Sequence, residues 1–166
     1  CNMATECTAR TGICEGDSAL AEWLATRRPG KTAEEIAATF VVPDEGAVYA
    51  GGVHTIDLAA IQPMVAEPGD PTYGNTVAAL PETPVNIAYG GSCTAGKIDD
   101  FALYAQVCEE ALNAGIKVAD KTSFFIQYGS KAVKDHAKEK GWIELFERAG
   151  VTLIEPGCGA CIGCGP

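Results

Sequence analysis

The sequence predicts an α/β fold built on a parallel sheet. Downstream of Pro84, short apolar runs typical of strands alternate with segments that carry apolar residues at helical spacing. Strands that alternate with helices form βαβ units, and such units build parallel sheets. With 166 residues, of which 47% are hydrophobic, the chain is long enough for one domain or one and a half.

Residues 1–62 are predicted to be the C-terminal part of a preceding α/β lobe. Asp17 is typical of a residue that begins a helix, and Thr32 with Glu35 forms a capping-box pattern that begins a second helix. Residues 47–49 and 53–57 alternate like strands.

Residues 63–84 are so rich in proline and glycine that we expect no regular structure there. We interpret this segment as a linker between two lobes. Residues 85–166 are then a second α/β lobe, cut short at its C-terminus. Its predicted elements are a strand at 85–89, a helix over 98–112, a strand at 117–119 or 123–127, helices on either side of Gly141, and a strand at 151–154.

Charge and hydropathy exclude two classes of function. Lys plus Arg is 12 and Asp plus Glu is 22, so the net charge is −10, and no basic cluster offers a phosphate-binding surface. Nucleic acid is therefore not an expected partner. No apolar run approaches the ~18–20 residues of a membrane span, and the given residues do not open with the basic-then-apolar pattern of a signal peptide. Because the chain begins at Cys1 and stops just after a cysteine motif, we expect it to be a piece of a longer protein.

Eight cysteines are too few for a disulfide scaffold of this length. They fit a reduced, cytoplasmic protein with metal-binding cysteines. Cys93 follows the predicted strand at 85–89, and Cys158 and Cys161 follow the one at 151–154. Because parallel strands bring their carboxyl ends to one edge, the three thiols are expected there together. Three thiolates from two loops suit an iron–sulfur cluster with one open iron.

Other interpretations of the cysteines stay open at this point. Cys158, Cys161 and Cys164 have the spacing of a bacterial ferredoxin run, but no fourth cysteine precedes the final proline. Zinc could use the same three with Cys93, although structural zinc sites usually pair two CxxC knuckles. A buried apolar role is the third interpretation, and it is the preferred one for Cys108.

Several motifs in order resemble the large subunit of the aconitase superfamily, of the 3-isopropylmalate dehydratase, homoaconitase or aconitase type. They are GSCTAGKIDD, EPGCGACIG, CNMATECTARTGI, DEGAVY and IQPMVAEPGDP. The resemblance covers essentially the whole chain. The resemblance implies a three-layer, parallel-sheet aconitase-type domain together with part of a preceding lobe.

The same resemblance implies a [4Fe–4S] cluster held by Cys93, Cys158 and Cys161. It implies a hydro-lyase that isomerises a 2-hydroxy polycarboxylate of the isopropylmalate, citrate or homocitrate type by dehydration and rehydration. Glu6 matches an active-site glutamate, and Asn2 matches an asparagine of the cluster region. Ser130 lies in a match to a turn near the substrate, and helix capping is its other role.

Departures from the family pattern limit what the chain does alone. Ala95 stands where the family usually has asparagine, and Tyr128 replaces a proline. Other family motifs with substrate-binding and catalytic side chains have no match here, and one of them belongs to a small subunit or swivelling domain. We therefore expect that partner and a di- or tricarboxylic acid substrate for the longer protein. By itself, this piece should bind a cluster poorly or not at all and should not turn over substrate. The alternative function is a non-catalytic iron–sulfur or zinc-binding α/β module.

Overall fold

A computed structural model describes residue 4 and residues 7–165. The chain separates into two compact units, with the division between Leu80 and Pro81. The first unit contains short helices and a two-stranded antiparallel ribbon, and the second contains a three-stranded parallel sheet.

Two capped helices form the best-packed part of the first unit. Helix α1 spans Ser18–Ala25, and the Asp17 carboxylate accepts a hydrogen bond from the Leu20 amide at 2.8 Å. Helix α2 spans Ala33–Ala37. The predicted capping box is confirmed: the Thr32 amide donates to Glu35 Oε2 at 3.0 Å, and the Glu35 amide donates to Thr32 Oγ1 at 3.2 Å.

The rest of the first unit departs from the predicted pattern. No strand forms over 47–57, where Val48 and Val53 are 94% and 84% exposed. Regular structure appears instead in the proline-rich segment, where strand β1, Met64–Ala66, pairs antiparallel with β2, Gly74–Thr76. Proline excludes only the hydrogen-bonding positions that it occupies itself, so three-residue strands form between prolines.

The second unit confirms the α/β class with a parallel sheet. Strands β3, Ile87–Gly91, β4, Ser123–Gln127, and β5, Val151–Ile154, are all parallel, with β4 in the centre. Of the two positions predicted for the middle strand, the structure adopts 123–127. Gln127 is in register with Gly91 on one side and with Ile154 on the other, so the three strands end level with one another.

Helices follow each of the first two strands. After β3 come a single turn, α3, at Ser92–Ala95 and the long helix α4 at Ile98–Asn113. After β4 come α5, Lys131–Glu139, and α6, Trp142–Ala149. The longest of these has 16 residues, and no helix in the described ranges is long and apolar enough to span a bilayer.

The core of the second unit lies between these helices and one face of the sheet. Phe101 of α4 is fully buried; its ring stacks on Tyr128 at 5.0 Å between centroids and meets Phe146 edge-on at 5.9 Å. Buried residues from β4, β5 and helices α4–α6 join this cluster: Ala105, Cys108, Ile126, Val133, Ala137, Ala149 and Val151. This packing fixes the helices, and therefore the loops that precede them, against the sheet.

Candidate metal centre

Three loops meet at the carboxyl edge of the parallel sheet. We call them the Cys93 loop (residues 91–97, after β3), the Ser130 loop (128–130, after β4) and the Cys158 loop (155–164, after β5). Neighbouring strands lie about 4.8 Å apart, so the roots of the two cysteine-bearing loops are separated by about 10 Å, with the end of β4 between them. The edge arrangement expected from the sequence is therefore present.

The Cys93 loop is pressed against the end of β4 by glycines. Gly91 has φ 94° and ψ −131°, and a Cβ placed on it would lie 2.1 Å from the Gln127 carbonyl oxygen. A Cβ on Gly96 would lie 2.6 Å from the Gly129 nitrogen, whose N–H donates to the Gly96 carbonyl at 2.9 Å. Only glycine permits these approaches, which leave the Cys93 side chain exposed on the turn between them.

Side chains from α4 and its N-terminus hold the carbonyls of the Cys93 loop. The Tyr104 hydroxyl donates to the Ala95 carbonyl at 3.0 Å, and burial raises the pKa of Tyr104, so the phenol keeps its donor proton at neutral pH. Lys97 Nζ donates to the Thr94 carbonyl and, at 3.4 Å, to the Cys93 carbonyl. A positive charge therefore lies beside the backbone of Cys93.

The Cys158 loop turns tightly around one carbonyl. The amides of Ile162 and Cys164 both donate to the Gly159 carbonyl at 3.1 Å, across a short 3-10 helix, and Gly163 completes the turn at φ 75°. Cys158 and Cys161 are exposed on either side of the buried Gly159. The glycines differ in importance, because a Cβ on Gly157 would meet nothing within 4 Å.

A buried glutamine joins the Cys158 loop to the sheet. Gln127, which is 1% exposed, accepts a hydrogen bond from the Tyr89 hydroxyl at 2.8 Å and donates to the Glu155 and Gly157 carbonyls, both at 3.0 Å. Sequence reasoning missed this residue. The signal available was a polar residue at the end of the otherwise apolar run FFIQ.

The structure describes some of the predicted site residues and not others. Asn2 and Glu6 lie outside the described residues. Ser130 is exposed, and its Oγ accepts from the Val133 amide at 3.4 Å, so it caps α5 as well as lying between the two cysteine loops.

The three predicted cysteine ligands lie on the two loops that flank the end of β4, but their side chains do not form a closed site. Across residue 4 and residues 7–165, no three His, Cys, Asp or Glu side chains gather closely enough to hold a metal ion. The donor chemistry nevertheless fits a cluster: Cys93, Cys158 and Cys161 are exposed thiols on glycine-containing turns that are anchored to one sheet edge.

Cys108 differs from these three cysteines because it is buried. It is 7% exposed in the α4 core, and burial raises the pKa of its thiol. In the unfolded chain the thiol titrates near its ordinary value of 9.0. As pH rises through that value the unfolded state loses its proton first, so folding stability falls between the unfolded and folded pKa values.

We therefore expect Cys108→Ala to flatten the decline of stability just above pH 9, measured by denaturant titration at half-unit pH intervals. Native Cys108 should also react with iodoacetamide far more slowly than Cys158. The matched control is Cys158→Ala, which also removes one cysteine but at an exposed position. An equal slope for wild type and Cys108→Ala would contradict the expectation.

Comparison with known proteins agrees with the α/β fold class. The fold and the position of the thiols define the class of protein. It is an α/β protein whose candidate site lies at the carboxyl ends of parallel strands, where such sheets bind their ligands. The profile of the aconitase family (aconitate hydratase) matches residues 1–84 and 73–166. The chain belongs to the aconitase family.

Its relatives include 3-isopropylmalate dehydratase large subunits. Identity is 33% over 165 residues with the one from Campylobacter hominis, 35% over 162 residues with that of Elusimicrobium minutum, and 32% over 163 residues with large subunit 2 of Archaeoglobus fulgidus. Each match covers 98% of this chain but only 36–37% of the relative. The chain therefore spans a little over a third of the length of these relatives.

Proposed function

We propose that this chain is the cluster-binding portion of an iron–sulfur hydro-lyase, in which Cys93, Cys158 and Cys161 hold a [4Fe–4S] cluster. The observation that supports this most is the arrangement of the loops. The Cys93 and Cys158 loops leave the ends of β3 and β5, and both are packed against the end of β4. Membership of the aconitase family and relatives named dehydratases support the reaction class.

When bound, a cluster held by three cysteines supplies an open iron that acts as a Lewis acid on a substrate hydroxyl and carboxylate. The chain's own residues position the thiols and the substrate. Ser130 is exposed at the N-terminus of α5, where a hydroxyl and backbone amides favour a carboxylate. Glu6 is the proposed acid–base residue, and Asn2 the proposed neighbour of the cluster.

The proposed substrate is a 2-hydroxy di- or tricarboxylic acid of the isopropylmalate, citrate or homocitrate type. Relatives named as large subunits support a small subunit, or an equivalent swivelling domain, as partner. A net charge of −10 disfavours nucleic acid as a partner. Cysteine usage supports a reducing compartment, and we propose the cytoplasm.

Anaerobic reconstitution with ferrous iron and sulfide tests the ligand set. We expect iron and sulfide uptake in a 1:1 ratio, and uptake reduced to the level of a triple variant by each of Cys93→Ser, Cys158→Ser and Cys161→Ser. Cys108→Ser and Cys164→Ser are the matched controls and should retain uptake, because neither is a proposed ligand. The test compares the uptake of iron and sulfide between variants, so it can be read even where only part of the protein takes up a cluster.

One labile iron separates the hydro-lyase from a simple binding module. Mild oxidation of the reconstituted chain should release one iron in four, and citrate or isopropylmalate should shift the electron paramagnetic resonance spectrum of the reduced cluster. Uptake unaffected by the triple substitution would overturn the ligand set. Zinc with four sulfur ligands, seen by X-ray absorption, would support the non-catalytic module instead.

A further inference from the structure

The face of the sheet opposite the aromatic core carries a hydrogen-bonded pair of polar side chains, Tyr89 and Gln127. Side chains alternate along a strand, so Ile126 and Tyr128 point into the core while Phe125 and Gln127 lie on the other side. Tyr89 of β3 lies beside them, with its ring 6.4 Å from that of Phe125. This face meets the Cys158 loop through Gln127.

We propose that Tyr89 and Gln127 form a positioning pair that fixes the Cys158 loop so that Cys158 and Cys161 reach their ligand positions. The inference rests on the proposed function, because it concerns the thiols of the same site. Both residues act through the backbone of the loop, which they contact at Glu155, Gly157 and Gly159.

Hydrogen bonding fixes the orientation of the Gln127 amide. Two carbonyl oxygens, of Glu155 and Gly157, lie at 3.0 Å from Nε2, and carbonyls accept only from a donor. Rotating the amide by 180° would place Oε1 against both. The remaining oxygen then accepts the Tyr89 hydroxyl at 2.8 Å, so both amide N–H groups and the oxygen are satisfied in a buried position.

Close packing adds to these hydrogen bonds at the residue between the two cysteines. A Cβ on Gly159 would lie 2.5 Å from the Tyr89 oxygen and 2.6 Å from Gln127 Oε1. The backbone of Gly159 is therefore in direct contact with the pair. Since Gly159 separates Cys158 from the turn bearing Cys161, the pair sets the height of both thiols above the sheet edge.

The test uses Gln127→Met, which keeps the length of the side chain and removes its donors and acceptor. In the cluster-free chain, amide hydrogen exchange over 157–163 should accelerate at least about tenfold, as expected for losing two buried hydrogen bonds. In the reconstituted chain, iron release to a chelator should accelerate by about 10–100-fold. Tyr89→Phe should produce a smaller change in the same direction, and the double variant should be non-additive.

Two controls separate positioning from general loss of stability. Gln106→Met makes the same substitution at an exposed α4 site, where the side chain donates to Glu110 at 2.8 Å, and should change neither measurement. Phe146→Leu should lower the stability of the core and leave iron release within about twofold of wild type, because Phe146 packs on Phe101 in the core, on the face of the sheet opposite Gln127.

The outcomes separate this inference from the proposed function. Unchanged exchange over 157–163 in Gln127→Met would overturn the pair as a loop clamp. Faster exchange with unchanged iron release would overturn its positioning role while the cluster proposal stands. Cysteine-independent iron uptake by the wild-type chain would overturn the proposed function, and the positioning role with it.

Discussion

Gly91→Ala should destabilise the second unit by at least about 3 kcal/mol, or prevent its folding. Gly91 combines a positive φ of 94° with a ψ of −131°, a conformation that residues with a Cβ rarely adopt. An added Cβ would also lie 2.1 Å from the Gln127 carbonyl oxygen and 2.8 Å from its nitrogen. Both atoms belong to the central strand, so relief requires β3 and β4 to separate at the edge that supports Cys93.

Two matched glycine substitutions isolate the cause. Gly157→Ala adds a Cβ in open space within the Cys158 loop and should change stability by no more than about 0.5 kcal/mol. Gly115 has φ 73°, and a Cβ added to it would meet nothing within 4 Å. Gly115→Ala should therefore show only the cost of a left-handed conformation, about 1–2 kcal/mol. Urea denaturation followed by circular dichroism gives the three values. A Gly91→Ala variant as stable as Gly157→Ala would contradict the structure.

Local signals predicted the second unit well. The capping pattern at Ser130, the helical spacing from Ile98 onward and the apolar run at 151–154 are each complete within a few residues of sequence. Such features form wherever tertiary packing agrees with them. Because strands alternate with helices in this unit, a parallel sheet could be predicted. A parallel sheet in turn places the two cysteine loops at the same edge.

The same reasoning failed in the first unit because alternation alone does not make a strand. Residues 47–57 have a suitable pattern but no pairing partner, whereas β1 and β2 formed in a segment that its prolines had marked as irregular. A strand depends on another strand to complete its hydrogen bonds. That partner is a property of the fold and is invisible in a short window of sequence.

At the site, too, local features could be predicted and contacts between distant segments could not. The cysteines were found because spacing and strand ends are local, but Gln127 was missed because its partners lie 38, 28 and 30 residues away in the chain. The close approach of Gly91 to Gln127, and of Gly96 to Gly129, is likewise a contact between separate strand–loop segments. The positions of the two cysteine loops at the sheet edge were therefore predictable, and the residues that hold these loops in place were not.

Phe101→Ala should cost the second unit about 3–5 kcal/mol, the usual range for a fully buried phenylalanine. Its ring is 0% exposed and contacts three aromatic rings, those of Tyr104, Tyr128 and Phe146, at 5.0–5.9 Å between centroids. The cavity would open under Tyr104, whose hydroxyl holds the Ala95 carbonyl of the Cys93 loop. We expect the variant to lose iron from the reconstituted chain faster as well as to unfold more readily.

Fluorescence can report the second unit alone, because Trp23 belongs to the first unit and Trp142 to the second. In a Trp23→Phe background, urea unfolding of Phe101→Ala followed through Trp142 should show the full loss. Leu103→Ala is the matched control on the same helix: it is 63% exposed and should shift stability by no more than about 0.5 kcal/mol. Equal midpoints for the two variants would mean that α4 does not present the face on which the core, and the anchoring of the Cys93 loop, depend.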